Sequence, residues 1–361
     1  MRVTDITRRR LVSQQIARPQ FTTPAEIVRW MGAVQAQDPL GARWALGLRL
    51  PSAVESDVEE AVAARTIVRT WPMRGTLHYV PAADVRWMLR LLTPRVIARS
   101  AGRYRELGLD TVVFRRAAKV LTRALKGRAL TRAEAYAALQ QGGVSPAGQR
   151  GIHILGHLAQ QGLVCFGSRK GKQPTFVLLE EWLPPSRDLS REEALATLAE
   201  RYFASHGPAT AHDFAWWTGL LLKDAQAAIA AAGSKVVGEP HEGRVLFSSS
   251  EARPSRGARR AMAVLLPAWD EYVVAYKDRV AALDPPASAT DRVYAIGLSL
   301  VVIDGRVRGA WRRSLARATV RVSVTSWNPV TRDERRAVEA AAERYGRFLG
   351  LRAQVEANIL R

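Results

Sequence analysis

A single cysteine, Cys165, in 361 residues removes any disulfide framework and any cysteine-built zinc site. Histidine is also sparse: His78, His153, His157, His206, His212 and His241 are scattered along the chain. His153 and His157 have the helical i, i+4 spacing that can chelate zinc, but the run is His-Ile-Leu-Gly-His, without the glutamate of an H-E-x-x-H box. No metal is therefore expected. There is no G-K-[ST] of a phosphate loop, no dinucleotide fingerprint and no G-x-S-x-G elbow, so no cofactor is expected either. No apolar run approaches the roughly 20 residues that span a bilayer. The opening MRVTDITRRRLV lacks an apolar signal core. These absences predict a cytoplasmic protein without a membrane partner.

Acid is the other shortage. Asp and Glu number 33 against 54 Lys and Arg, a net charge of +21 and a pI near 11.1. Such an excess predicts a polyanionic partner. The charges are spread along the chain and not gathered on one amphipathic helix, which favours nucleic acid over a membrane surface and predicts association with the nucleoid. Most of the cations are arginines, suited to bidentate phosphate and guanine contacts. Hydrophobic residues make up 47 %, enough for a sizeable core.

Proline-rich stretches at Leu183-Pro-Pro-Ser-Arg-Asp, Ala252-Arg-Pro-Ser-Arg-Gly and Asp284-Pro-Pro-Ala-Ser read as linkers. Expected helices are Arg8 to Gln15, Ile27 to Val34 behind the Thr23-Pro24-Ala25-Glu26 cap, and Ala82 to Arg99. Arg69 to Val80 is richer in β-branched and aromatic residues and includes a strand. From Leu130 the order sharpens. Thr131 to Glu134 is a capping box, Ser145 to Gln161 a second helix, and Leu163 to Gly167 with Thr175 to Leu179 a hairpin around the basic tip Arg169-Lys170-Gly171-Lys172. Helix, helix, hairpin is the winged-helix order; an ordinary helix pair followed by a hairpin fits the same pattern. A second such unit fits Ala194 to Ser248. In the C-terminal part, Tyr294 to Ile303, Arg306 to Arg313 and Ala318 to Val324 read as antiparallel strands, with Asp304-Gly305 as a type I′ turn. Arg332 to Leu349 is a long amphipathic helix. The expected class is α+β, mainly α: tandem winged helix-turn-helix modules with a β-rich C-terminal portion. Its domains are 1–120 with the Gln motif, winged helices at 121–185 and 186–252, and a β-rich region at 253–361.

Three stretches concentrate polar groups. Arg-Thr-Trp-Pro-Met-Arg-Gly-Thr-Leu-His-Tyr-Val, 69–80, brings Arg69, Arg74, Thr76, His78 and Tyr79 together, as a pocket wall or as a strand with surface arginines. Leu265 to Arg279 sets Asp270, Glu271, Asp278 and Arg279 among apolar residues, which favours an internal ion-pair network. The Asp304-Gly305 tip is flanked by Arg306, Arg308, Arg312 and Arg313, and reads as a groove probe or as a solvated turn.

Q-A-Q at Gln35 to Gln37, R-G-T-L-H at Arg74 to His78, L-L-P-A-W-D at Leu265 to Asp270 and D-G-R-V-R-G-A-W at Asp304 to Trp311 occur in this order. Together they resemble the winged-helix DNA glycosylase family of AlkZ and YcaQ, over nearly the whole chain. The Gln-x-Gln form is similar to the AlkZ branch, and Gln35 and Gln37 fall on its two motif positions. The resemblance implies three tandem winged helices and a concave face for double-stranded DNA. It also implies excision of N7-alkylguanine, including crosslinked or bulky natural-product adducts, by a monofunctional hydrolase in a self-resistance setting. It implies DNA contacts from Arg69, Arg74, His78, Arg169, Lys170, Lys172, Arg306, Arg308 and Arg312. A cationic N7-alkylated base is a good leaving group, so two amides holding one water suffice where a strong base is usual. Asp38, one residue beyond the motif, is the nearest carboxylate: a base or a helix cap. A glycosylase needs no dyad, so a monomer is expected. A winged-helix regulator without catalysis explains the charge equally well, but not the Q-A-Q and R-G-T-L-H runs. A nuclease needs metal carboxylates that cannot be assembled.

Overall fold

The computed structural model describes residues 3–252, 261–283, 297–327 and 329–358. The proline-rich stretches that begin at Ala252 and Asp284 lie almost entirely outside these residues, as does the start of the strand expected from Tyr294. The chain is mixed α and β, with about 49 % helix and 22 % strand.

Along the chain, α1 (Val3–Ser13) precedes α2 (Pro24–Met31), β1 (Val34–Gln35), α3 (Pro39–Gly47), α4 (Glu55–Ala63), β2 (Ile67–Met73) and β3 (Thr76–Pro81). Next come α5 (Val85–Arg99), α6 (Ala101–Glu106), α7 (Thr111–Leu125), β4 (Leu130–Thr131), α8 (Arg132–Gln141), α9 (Arg150–Gln160), β5 (Val164–Phe166), β6 (Thr175–Leu178) and α10 (Leu179–Trp182). Then follow α11 (Arg191–His206), α12 (Ala211–Thr218), α13 (Leu222–Ala232), β7 (Val236–His241) and β8 (Arg244–Ser249).

One order of elements recurs. A helix, a short strand, two helices and a hairpin run from α2 to β3, with sheet order β1-β3-β2, and again from α7 to β6, with order β4-β6-β5. From α11 to β8 the short strand shrinks to a bridge between Ala209 and Phe247. Local chemistry starts the helices. Thr23 with Glu26, Thr131 with Glu134, Ser190 with Glu193 and Thr210 with Asp213 each form a reciprocal capping box, and a good N-cap stabilises a helix by about 1 kcal/mol.

The C-terminal part contains β9 (Ala263–Leu266), α14 (Glu271–Val274), β10 (Leu300–Ile303), β11 (Arg306–Leu315), β12 (Thr319–Ser326), α15 (Arg332–Leu349) and β13 (Arg352–Asn358). These strands form one sheet in the order β13-β12-β11-β10-β9. The expected antiparallel set is present, extended by β9 and by β13, which pairs parallel to β12. Asp304 and Gly305 both have left-handed φ, +48° and +85°, as a type I′ turn demands.

Packing ties the ends of the chain together. Trp44 on α3 meets Tyr345 and Phe348 of α15 at ring distances of 5.0 and 5.3 Å. Gly47 permits that approach: a Cβ there would sit 2.3 Å from the Phe348 ring. Leu11 and Ile16, from α1 and the turn after it, share a core with β9, β10 and β12. Val68, Met73 and Val80 of the first hairpin share another with Leu198, Tyr202 and Trp217.

Candidate active site

The Gln run lies where α2 stops. Gly32, at φ +76°, turns the chain out of the helix, and Val34 and Gln35 pair with Tyr79 and His78 on β3. Extended backbone alternates its side chains. Val34 and Ala36 enter the core at 1 % and 0 % exposure, so Gln35 and Gln37 share the opposite face. Gln35 is buried and Gln37 exposed.

Both glutamines are held. The Gln35 N–H donates to Glu271 Oε1 at 2.7 Å, and its side-chain Oε1 accepts from Arg74 Nη2 at 2.9 Å. Gln37 Oε1 accepts from the Leu77 N–H at 3.0 Å. The residue between them is fixed through its carbonyl, which accepts from Arg69 Nε and Nη2 at 3.1 and 2.8 Å. An amide oxygen has two lone pairs, so each of these contacts leaves one in hand.

Arg74 occupies the β2–β3 turn with Gly75, at φ +54° and +74°. It also donates to the Trp217 carbonyl and lies 3.3 Å from His78 Nε2. His78 Nδ1 is 3.0 Å from the Thr76 carbonyl. An acceptor there requires the proton on Nδ1 and presents the Nε2 lone pair to Arg74. Burial, aided by Arg74, pushes the His78 pKa down to about 3, so the ring is neutral.

Glu271 is fully buried and also accepts from Trp217 Nε1 at 2.9 Å. Burial works to raise its pKa; the His206 contact and the nearby Arg74 cation outweigh it and hold the carboxyl below the ordinary range. The His206 ring, 3.7 Å away, is itself driven toward its neutral form by burial. We therefore assign the negative charge to Glu271, on the strength of the Gln35 and Trp217 donors and of Arg74.

Asp38 caps α3. Its Oδ1 accepts from the Leu40 N–H at 3.3 Å, and its Oδ2 pairs with Arg313 Nη2 at 2.8 Å. A Cβ at Gly41 would come within 2.6 Å of that Oδ2 and 3.2 Å of Pro267. One stretch of the C-terminal part thus reaches both the Gln motif, through Glu271 at the Gln35 N–H, and the start of α3 that follows it, through Pro267 beside Gly41. The neighbouring Asp270 grips Arg49 with both oxygens at 2.9 Å, and both side chains are buried.

The expected DNA contacts divide. Arg69, Arg74 and His78 do gather at the Gln motif, but facing protein acceptors: His78 lies on β3, which pairs with β1, while Arg69 on the next strand and Arg74 in the turn between them reach across to the Ala36 carbonyl and to Gln35. Arg169 is paired with Glu59, and Lys170 with Glu134 at 2.9 Å, so the basic tip is folded onto its own molecule. Lys172 is exposed and lines a cavity of about 460 Å³ with Arg43, Arg69, Tyr79 and Phe166. The Asp304-Gly305 tip is no free probe. A Cβ at Gly305 would meet Thr7 at 2.7 Å, and Tyr272 donates to its carbonyl at 2.7 Å. Arg306 and Arg308 are accordingly half-buried, and Arg308 lies 3.9 Å from Glu334; Arg312 is exposed. His157 stacks on Phe114 at 3.7 Å. Glu271, Arg49 and Arg313 were not expected at the site. Two adjacent acids in the apolar run 265–276 were the signal for the first.

The family model described as DNA glycosylase AlkZ-like matches residues 28–348. The chain belongs to the AlkZ-like DNA glycosylase family. It is 26 % identical over 335 residues to the interstrand DNA cross-link repair glycosylase of Streptomyces sahachiroi, covering 83 % of this chain and 85 % of the relative. It shares its fold with the solved DNA glycosylase AlkZ of Streptomyces sahachiroi, at a TM-score of 0.79 and 24 % identity over 98 % of both chains. Among the described residues no helix is long and apolar enough to cross a membrane.

Proposed function

We propose that this family member is a monofunctional glycosylase that hydrolyses the N-glycosidic bond of N7-alkylguanine in double-stranded DNA, interstrand crosslinks included. The observation that carries the reading is the pair Gln35 and Gln37: on one face of an extended segment, each with its amide oxygen fixed by a protein donor and a lone pair to spare. They hold one water against C1′. The C1′–N9 bond breaks with its electron pair moving onto the cationic base, which leaves neutral. The water oxygen bonds to C1′ and its proton passes to solvent, leaving an abasic site. Fixed dipoles of this kind supply several kcal/mol toward an oxocarbenium-like transition state. Asp38 is a positioning residue, since both its oxygens are committed to the α3 cap and to Arg313.

The three recurring units are winged helices, α2 to β3, α7 to β6 and α11 to β8, followed by the β-rich region at 253–361; the boundary expected at residue 120 falls inside α7, so the first two units divide ahead of Thr111. Lys172 and Arg312, both exposed, hold the DNA backbone. The crosslink reading draws on the relative's activity. The protein works as a monomer on the nucleoid. The test is single-turnover release of base from duplexes carrying N7-methylguanine, a bulkier N7 adduct or an N7 crosslink. Wild type should release base, and Gln35→Ala and Gln37→Ala should not. Release by the variants at the wild-type rate overturns the catalytic assignment. No release from any adduct, with tight binding to one sequence, favours a regulator.

A further inference from the structure

Trp269 is the most conspicuous residue near the Gln motif that the proposed hydrolysis leaves unused. It occupies the third position of the turn Pro267-Ala268-Trp269-Asp270, closed by the Asp270 N–H on the Pro267 carbonyl at 3.3 Å. Its φ is +60°, a left-handed conformation that favours glycine or asparagine and is a strained one for a bulky side chain. Asp270 and Glu271, locked to Arg49 and Gln35, hold the strain in place. Strain retained beside an active site points to use.

The indole is also 38 % exposed, and one side of it is covered by backbone. A Cβ at Gly297, itself at φ +55°, would come within 2.5 Å of Trp269 Cε2. Its position follows from its neighbours. Pro267 lies against Gly41 beside Asp38, and Glu271 holds the Gln35 N–H. Two peptide steps reach at most about 7 Å, so Trp269 stands at the edge of the Gln motif.

We propose that the Trp269 indole is a platform on which the cationic alkylated base rests while Gln35 and Gln37 act. A flat, half-exposed indole stacks on any base. It attracts a positively charged aromatic ring more than a neutral one, because its π face is electron-rich. Trp269 thus discriminates alkylated from normal guanine before hydrolysis begins. This inference rests on the N7-alkylguanine reading above.

The probe is a duplex containing 2′-fluoro-N7-methylguanine, in which fluorine suppresses bond cleavage and the base keeps its charge. A duplex with 2′-fluoroguanine at the same position is the control. Wild type should bind the charged duplex more tightly, by about threefold to thirtyfold. Trp269→Ala should erase that preference and Trp269→Phe keep part of it. Trp269→Gly, which suits the left-handed turn, should lose the preference without unfolding, as melting curves will show. An undiminished preference in the Ala and Gly variants overturns the proposal. So does a wild type with no preference. Release of N7-methylguanine by such a wild type overturns the platform alone; no release overturns the hydrolysis reading with it.

Discussion

In the proposed reaction Gln35 and Gln37 carry the chemistry while the groups around them are neutralised or tied down. Gln35→Ala and Gln37→Ala should each slow single-turnover base release by about 10²–10³-fold, the scale of removing one preorganised polar group. Asp38→Asn should cost less than tenfold in the same assay, since an amide still caps α3; a loss as large as that of the glutamines would make Asp38 the base. His78 supplies a pH signature. Its folded-state pKa, about 3, lies below its ordinary 6.5. The unfolded chain therefore binds the extra proton between those values, and stability falls as pH drops through that window. Below about pH 4.5 the depressed Glu271 carboxyl acts in the same direction. Urea unfolding at stepped pH should show His78→Asn flattening the slope between pH 6 and 4 by up to about 1.4 kcal/mol per unit; an unchanged slope contradicts a buried neutral ring. Q-A-Q was legible in the sequence through its companion motifs. The Glu271 contact was not, because a residue 236 positions away supplies it.

At the scale of elements, the caps were readable because they are local: Thr131 and Glu134 are three residues apart and satisfy each other. The hairpin at Asp304-Gly305 was readable for the same reason, since two left-handed residues dictate the turn. Where that tip lies was not readable, because Thr7 and Tyr272 arrive from distant elements. The helix expected from Ser145 begins at Arg150, and its apolar Ile152 is 38 % exposed. The join between α3 and the C-terminal part gives a test. Asp270→Ala strands the buried Arg49 guanidinium and should destabilise the protein by about 3–5 kcal/mol in denaturant melts. Gly47→Ala drives a Cβ into Phe348 and should cost about 1–3 kcal/mol. Little change in either would mean that α3 is not clamped as described.

Across the whole molecule, charge was the plainest message of the sequence, and it predicts a steep response to salt. DNA affinity should fall by orders of magnitude between about 50 and 200 mM salt if several phosphates are neutralised. Fluorescence anisotropy with undamaged duplex measures it, and a flat dependence would argue against phosphate contacts made by the protein's arginines and lysines. The distribution of that charge was harder to foresee, because Arg49, Arg69 and Arg74 are spent inside the protein.

The Gln35 N–H also sets a clock. Its acceptor is made 236 residues later, so a ribosome completes the Gln motif and all three recurring units before it reaches Glu271. Until then the nascent chain carries much of the protein's positive charge but lacks the acceptor that holds the Gln35 N–H. In synchronised translation, DNA binding should appear first and base release only near full length; simultaneous onset would break that link. Under the proposed reaction, such an order would spare DNA from abasic sites made by an unfinished chain.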